Sequence, residues 1–175
     1  MTQVWKPSVT VAAVVHHEGR FLLVEEHTPD GLRINQPAGH LEFGESLEAG
    51  AIREAREETT RDFAPSHLLG VYLMPTGSSE AQATYLRVAY VGTVGPERAD
   101  RQLDPDILRT VWLSRDEIAA RQDQLRSPLV LRCVEDYLAG QRAPLGLVQF
   151  HTLDSLAAHA PAGPASAAAP RAPAA

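Results

Sequence analysis

Six carboxylates and two guanidinium groups crowd into the stretch Gly39 to Thr60, GHLEFGESLEAGAIREAREETT. Four of the acids, Glu45, Glu54, Glu57 and Glu58, lie close together, with Arg53 and Arg56 between them. From Gly39 to Asp62, seven acids stand against three bases, so −4 of the chain's net charge of −6 is concentrated there. Clustered carboxylates suit a hard cation such as Mg²⁺, which takes oxygen ligands and completes its shell with waters and substrate phosphates. The plainer alternative is a solvated, charged helix face.

The spacing predicts a helix over Ser46 to Thr60. At roughly 100° per residue, Leu47, Ala51 and Ala55 stack into a buried stripe with Ile52 beside them. Glu54, Glu57 and Glu58 then share an arc at the edge of that stripe. Gly50 falls in the same arc one turn earlier, and a glycine inside a helix costs about 1 kcal/mol against alanine. The expectation is that Gly50 leaves room above the carboxylates. Glu54 and Glu58 are a like-charge i,i+4 pair, which is unfavourable unless a cation offsets it. Arg53 can reach Glu57 at i+4, but that satisfies one acid only.

The rest of the chain bounds what this cluster can serve. With 175 residues there is enough chain for one domain with its own core. A domain is expected over residues 6–150, followed by an Ala/Pro-rich tail over 152–175 that reads as disordered. The net negative charge without a basic run argues against nucleic acid as a partner. It does not exclude polyanionic small molecules, because bound divalent ions invert the local field. Cys133 is the single cysteine, so no internal disulfide can form, which fits a reducing cytosol. Its apolar setting, LVLRCVEDYL, reads as a buried thiol. No leader is legible and no apolar run is long enough to span a bilayer, so a cytoplasmic protein without a membrane partner is expected, as a monomer.

The elements that must position the cluster alternate between strand and helix signals. Ser8 to His16 and Phe21 to Glu25 are β-branched, apolar runs joined by a short glycine turn, a hairpin with both faces covered. His16 and His17 read as polar strand ends. Glu26 to Leu32 reads as a loop, and Ile34 to His40 leads into the acidic helix. Leu68 to Met74 and Thr84 to Gly92 are strands joined by the polar segment Pro75 to Ala83, which could border a pocket. Val111 to Leu113 is a short strand in which Trp112 anchors the core. Ser114 and Glu117 form a capping box. Pro128 to Ala139 is a helix stopped by Gly140.

Gly39, five residues, Glu45, seven residues, then Arg53-Glu54-Ala55-Arg56-Glu57-Glu58 resembles the Nudix box of the Nudix hydrolases. The likeness extends from about Ser8 to Phe150, and the segments QPAGHLE and RSPLVLRCVEDYLAGQRAPLGLVQF are similar to a bacterial phosphatase subgroup of that family. It implies an α/β fold in which a mixed β-sheet is sandwiched between helices. It also implies hydrolysis of phosphoric anhydride bonds with Mg²⁺, or Mn²⁺ in its place. Together with the donor chemistry it assigns Glu54, Glu57 and Glu58 as metal ligands, and a backbone carbonyl of Ala38 or Gly39 as a further one. Glu45 and Arg53 orient those ligands. The general base stays open between Glu54, Glu57 and Asp106. Asp106, six residues before Trp112, stands where the family commonly carries an acid in a loop over the metal, with Asp104 as its neighbour; an ordinary Asp-Pro-Asp turn is the alternative.

The implied reaction releases inorganic phosphate from nucleoside tri- and diphosphates and from hydroxymethylpyrimidine diphosphate. The competing readings are a pyrophosphohydrolase acting on ADP-ribose or a sugar nucleotide, and a non-catalytic nucleotide-binding regulator. The chain departs from the family at Thr60, where a glycine is usual, and at Arg61, where an aliphatic residue is usual. Thr is a poor left-handed cap, so the helix is expected to end differently, running on towards Phe63 before Pro65. Ile34 stands where many family members carry Trp, so base stacking is not expected there.

Overall fold

The computed structural model describes residues 5–76, 83–153 and 155. Seven strands form one mixed sheet: β1 (Ser8–His17), β2 (Arg20–Thr28), β3 (Gly31–Asn35), β4 (Ala38–His40), β5 (Phe63–Thr76), β6 (Ala83–Val94) and β7 (Ile107–Ser114). The helices are α1 (Leu47–Thr59), α2 (Arg115–Ala119) and α3 (Leu129–Leu138), with short 3₁₀ turns at Gln122–Gln124 and Leu145–Leu147. The main path runs β3-β2-β1-β6-β5, with β4 pairing β1 and β7 pairing β2. β1 and β6 are parallel over Ser8↔Tyr85 to Val15↔Gly92, and the other pairings are antiparallel.

β1 explains why its sequence is apolar at every position rather than at alternate ones. Val11, Ala13 and Val15 face α1 and pack with Ala51 and Ala55. Ala12 and Val14 face the opposite way and pack with Ile118 of α2 and with Val130, Cys133 and Val134 of α3. A strand covered on both faces loses its polar alternation, and the result is the three-layer α/β/α arrangement. The β1–β2 hairpin closes through Glu18 (φ 48°) and Gly19 (φ 78°), two successive left-handed residues of the kind that match strand twist. His16 packs on the rings of Phe21 and Tyr137 at the strand end. Trp112 is partly buried against the α1-side core.

Three expectations are corrected. Glu26 to Leu32 is not a loop: β2 runs on to Thr28 and pairs with β3 from Val24↔Asn35 to Thr28↔Gly31. The polar residues there hide the strand because pairing on both edges, to β3 and β7, fixes it without an apolar pattern. Next, α1 does not run on towards Phe63. Thr60 takes the left-handed conformation itself (φ 57°), and its N–H donates to Arg56 O at 2.9 Å. The loop before β7 supports this strained cap: Arg98 N donates to Thr60 Oγ1 at 3.4 Å and Arg101 donates to Thr60 O at 3.3 Å. Pro65 lies within the edge strand β5, beside a bulge. Finally, the space at Gly50 is not open above the metal-type carboxylates: a Cβ there would meet Glu45 Oε1 at 2.8 Å and Val11 Cγ2 at 3.2 Å.

Two expectations concern residues outside the description: the tail beyond residue 155, and residues 77–82 of the Pro75–Ala83 connection. The Ser114–Glu117 capping box is present with both of its hydrogen bonds. Gly140, with φ 80°, follows α3 as its stop.

Candidate active site

The site begins where β4 meets α1. Ser46 caps the helix, its Oγ accepting from Ala49 N at 3.0 Å. Glu45, just before the cap, accepts from Glu42 N at 2.8 Å. It also receives a two-pronged contact from Arg53, Nε to Oε2 at 3.1 Å and Nη2 to Oε1 at 2.7 Å. The same guanidinium donates to Glu54 at 2.7 Å, to Glu57 at 3.1 Å and to the carbonyl of His40 at 3.0 Å. Arg53 therefore ties the capping loop, strand β4 and two helix carboxylates into one unit. It holds the Glu45 carboxyl below the usual carboxylate range, and its own guanidinium is pushed up, first by Glu45.

The three helix acids sit in different surroundings. Glu57 is half-exposed, with 43% of its side chain accessible. Glu54 is buried beneath Gly39, where a Cβ would overlap its carboxylate. Burial pushes Glu54 up, with Arg53 opposing. Glu58 is buried and accepts one hydrogen bond, from Ala38 N–H at 2.9 Å. Desolvation pushes its carboxyl to about 9, with Glu54 adding to the shift.

The loop before β7 folds against the end of α1. Asp104 N donates to Glu57 O at 3.0 Å, and Asp104 raises both Glu54 and Glu58. Asp106 is exposed on the same loop, and its carbonyl accepts from His27 N at 2.8 Å.

This donor set fits a hard divalent cation. Gly39 leaves room that the Glu54 carboxylate occupies, and Glu58 is a buried carboxylate that makes no ion pair among the described residues. Among those residues no three acidic, histidine or cysteine side chains stand close enough together to hold a metal ion, so Glu54, Glu57 and Glu58 would have to draw together around one, with waters and substrate phosphates supplying the rest of the shell.

Beside Gly39 lies a cavity of about 660 Å³, well within the range of small-molecule pockets. Ala38 and Gly39 line it on the side of the box, and Tyr85, Met74 and Pro75 give it an apolar wall. Arg87 of β6 is buried in it, donating to Gln36 Oε1 at 3.1 Å and to Asn35 Oδ1 at 3.3 Å. Glu26, Arg126 and Ser127 add to its polar wall. Sequence reasoning missed Arg87, Glu26 and Ser127. Glu26 read as loop, Arg87 was one charge inside an apolar strand, and only the sheet register brings them together. Ile34, by contrast, is buried in the core.

Comparison with known proteins adds an independent line. Residues 5–133 match the family model described as NUDIX domain. The chain is 38% identical over 144 residues to Phosphatase NudJ of Escherichia coli (strain K12), covering 82% of this chain and 92% of that protein. The figures are the same for Phosphatase NudJ of Shigella sonnei (strain Ss046). Among solved structures, a NUDIX hydrolase from Nitrosomonas europaea superposes with a TM-score of 0.78 at 48% identity, over 83% of this chain and 98% of that one. The motif, the fold and these relatives agree that the chain belongs to the Nudix family, as a hydrolase of phosphoric anhydride bonds related to the NudJ phosphatases.

Proposed function

We propose that the protein is a Mg²⁺-dependent phosphatase of small-molecule phosphoanhydrides. It releases inorganic phosphate from nucleoside tri- and diphosphates and from hydroxymethylpyrimidine diphosphate, in the cytoplasm. The observation that carries this reading is the pair of buried box carboxylates, Glu54 and Glu58, held against Gly39 and Ala38, two residues that line a cavity of about 660 Å³.

Glu54, Glu57 and Glu58 would hold the metal, with a main-chain carbonyl of Ala38 or Gly39. When bound, the metal polarises phosphoryl oxygens and lowers the pKa of water. Phosphoryl transfer then depends mostly on positioning and electrostatics. Arg53 fixes the Glu54 and Glu57 carboxylates and leaves neither free to swing. Glu45 holds Arg53 in turn and anchors the loop that carries the helix cap. Ala38 N–H orients Glu58. Proton removal from the attacking water falls to Glu57 or Asp106, the acids that reach solvent, more readily than to Glu54 beneath Gly39.

The test is phosphate release from a nucleotide panel and hydroxymethylpyrimidine diphosphate, with Mg²⁺ and with chelator. Release should require Mg²⁺ and fall at least 10²-fold in Glu57→Gln, the loss typical of a removed catalytic group. Nucleoside monophosphate products from ADP-ribose or a sugar nucleotide, without phosphate release from the panel, would replace this reading by a pyrophosphohydrolase. Binding without any turnover would leave a regulator.

A further inference from the structure

Thr60 and Arg61 are the two positions at which the box departs from the Nudix pattern, and each carries a local cost. Thr60 is a β-branched residue held at φ 57°, a conformation that favours glycine. Arg61 has only 17% of its side chain accessible, and its buried Nε has no hydrogen-bond partner, which folded proteins rarely tolerate. Local strain of this kind persists where the surrounding structure over-determines it, and it gathers at functional sites.

The two residues hold the loop between β6 and β7. Not one of residues 95–106 is buried, so no apolar anchor fixes that loop and its position depends on polar contacts. Arg61 Nη1 donates to Gly95 O at 3.1 Å, and its Nη2 donates to Glu97 at 3.2 Å. Gly95 N donates back to Asp62 O at 2.9 Å. Thr60 Oγ1 accepts from Arg98 N at 3.4 Å, and Thr60 O accepts from Arg101 Nη1 at 3.3 Å. Arg101 also pairs with Asp62 at 2.7 Å. The series ends at Asp104, whose N–H donates to Glu57 O at 3.0 Å and whose carbonyl accepts from Ile107 N at 2.9 Å where β7 begins. Asp104 is exposed, and its charge acts on both buried box acids, Glu54 and Glu58.

We propose that Thr60 and Arg61 are positioning residues for the hydrolytic site: they clamp the β6–β7 loop to the end of α1 and so hold the Asp104 carboxylate beside the box carboxylates. The clamp adds a fixed negative charge to the field that draws in a divalent cation. It rests on the metal-site reading of α1, but its first readout needs no metal.

The test is the double variant Thr60→Gly/Arg61→Leu, which restores the residue types usual in the family. It relieves both local costs, so the metal-free protein should unfold at an unchanged or higher urea concentration. Hydrogen exchange at the Asp104 amide, followed by NMR on the same metal-free protein, should nevertheless quicken about 3- to 10-fold, the worth of one hydrogen bond. Mn²⁺ binding without substrate, followed by water-proton relaxation, should weaken by a similar factor in the double variant and in Asp104→Asn. Combining all three substitutions should weaken it no further, because both changes act through one carboxylate. Thr60→Ser keeps the hydroxyl and should match the wild type in both readouts. Phosphate release from UTP should need correspondingly more Mg²⁺ in the double variant. Unchanged Asp104 exchange, unchanged Mn²⁺ affinity, or additive losses in the combined variant would each overturn the proposal. Weakened Mn²⁺ binding with no phosphate release from any substrate, even by the wild type, would sustain the clamp while sinking the phosphatase reading. Mg²⁺-dependent phosphate release that is the same in the double variant as in the wild type would sink the clamp and leave that reading standing.

Discussion

Arg53→Gln tests whether one guanidinium organises the box. Its side chain is 17% exposed, and it pairs with Glu45 at 16% and Glu54 at 9%. Removing one partner from a buried pair costs about 3–5 kcal/mol, because a charge is left without compensation. Glu57, at 43% exposure, adds little, since solvent-exposed pairs are worth at most about 1 kcal/mol. Glu54 can relieve its share by taking up a proton, because burial already raises its pKa. The expected loss is therefore at the lower end, about 3 kcal/mol, in urea unfolding at pH 8 with chelator.

The sign of the pH dependence follows from Glu45. Arg53 lowers its folded pKa, so the stabilisation is present above the unfolded value of 4.5 and is lost as pH falls through the folded one. The gap between wild type and Arg53→Gln should shrink below that value. In a double-mutant cycle with Glu45→Gln, the two losses should couple by about 2 kcal/mol, since both remove the same two charge-assisted bonds. If Mg²⁺ also binds these carboxylates, it should raise the melting temperature of Arg53→Gln more than that of the wild type. A loss under about 0.5 kcal/mol with no coupling would refute the idea that Arg53 organises the site, leaving it an ordinary surface pair.

Gly39→Ala should stop Mg²⁺-dependent phosphate release, because its Cβ overlaps the Glu54 carboxylate, and should cost about 1–3 kcal/mol as an overpacked contact; full activity would mean that Glu54 moves freely. Thr60→Gly should raise the unfolding free energy by about 0.5–1 kcal/mol, since a left-handed non-glycine residue costs roughly 1–2 kcal/mol and the Oγ1 bond it gives up is long, at 3.4 Å. A fall in stability, measured by urea titration, would show that the loop contacts outweigh the strain. Cys133, buried and pushed to about 11, should resist a disulfide reagent at pH 8 until the protein unfolds; rapid labelling of the native protein would contradict the packed α3 interface.

The sequence by itself determined the acidic helix and its apolar stripe, because helical periodicity acts over a few residues. It also determined that β1 is covered on both faces, since a run of small and β-branched apolar residues has no exposed side to offer. The rigid spacing of Gly39, Glu45 and Glu54 to Glu58 carried the family and, with it, the sheet between helices. Only the tertiary structure decided what lies around each acid. Glu54, Glu57 and Glu58 are alike in sequence, but Gly39 covers the first, solvent reaches the second, and Ala38 N–H holds the third. Gly50 made sense only with Glu45 folded back beside it. Thr60 could cap the helix because the Arg98 and Arg101 loop, about 40 residues away in the chain, holds it there. The cavity wall of Glu26, Arg87 and Ser127 left no local trace, since its parts meet only when β2, β6 and the start of α3 are brought together by long-range pairing. Local periodicity records which face a residue takes, whereas the partner across that face is set by register and topology.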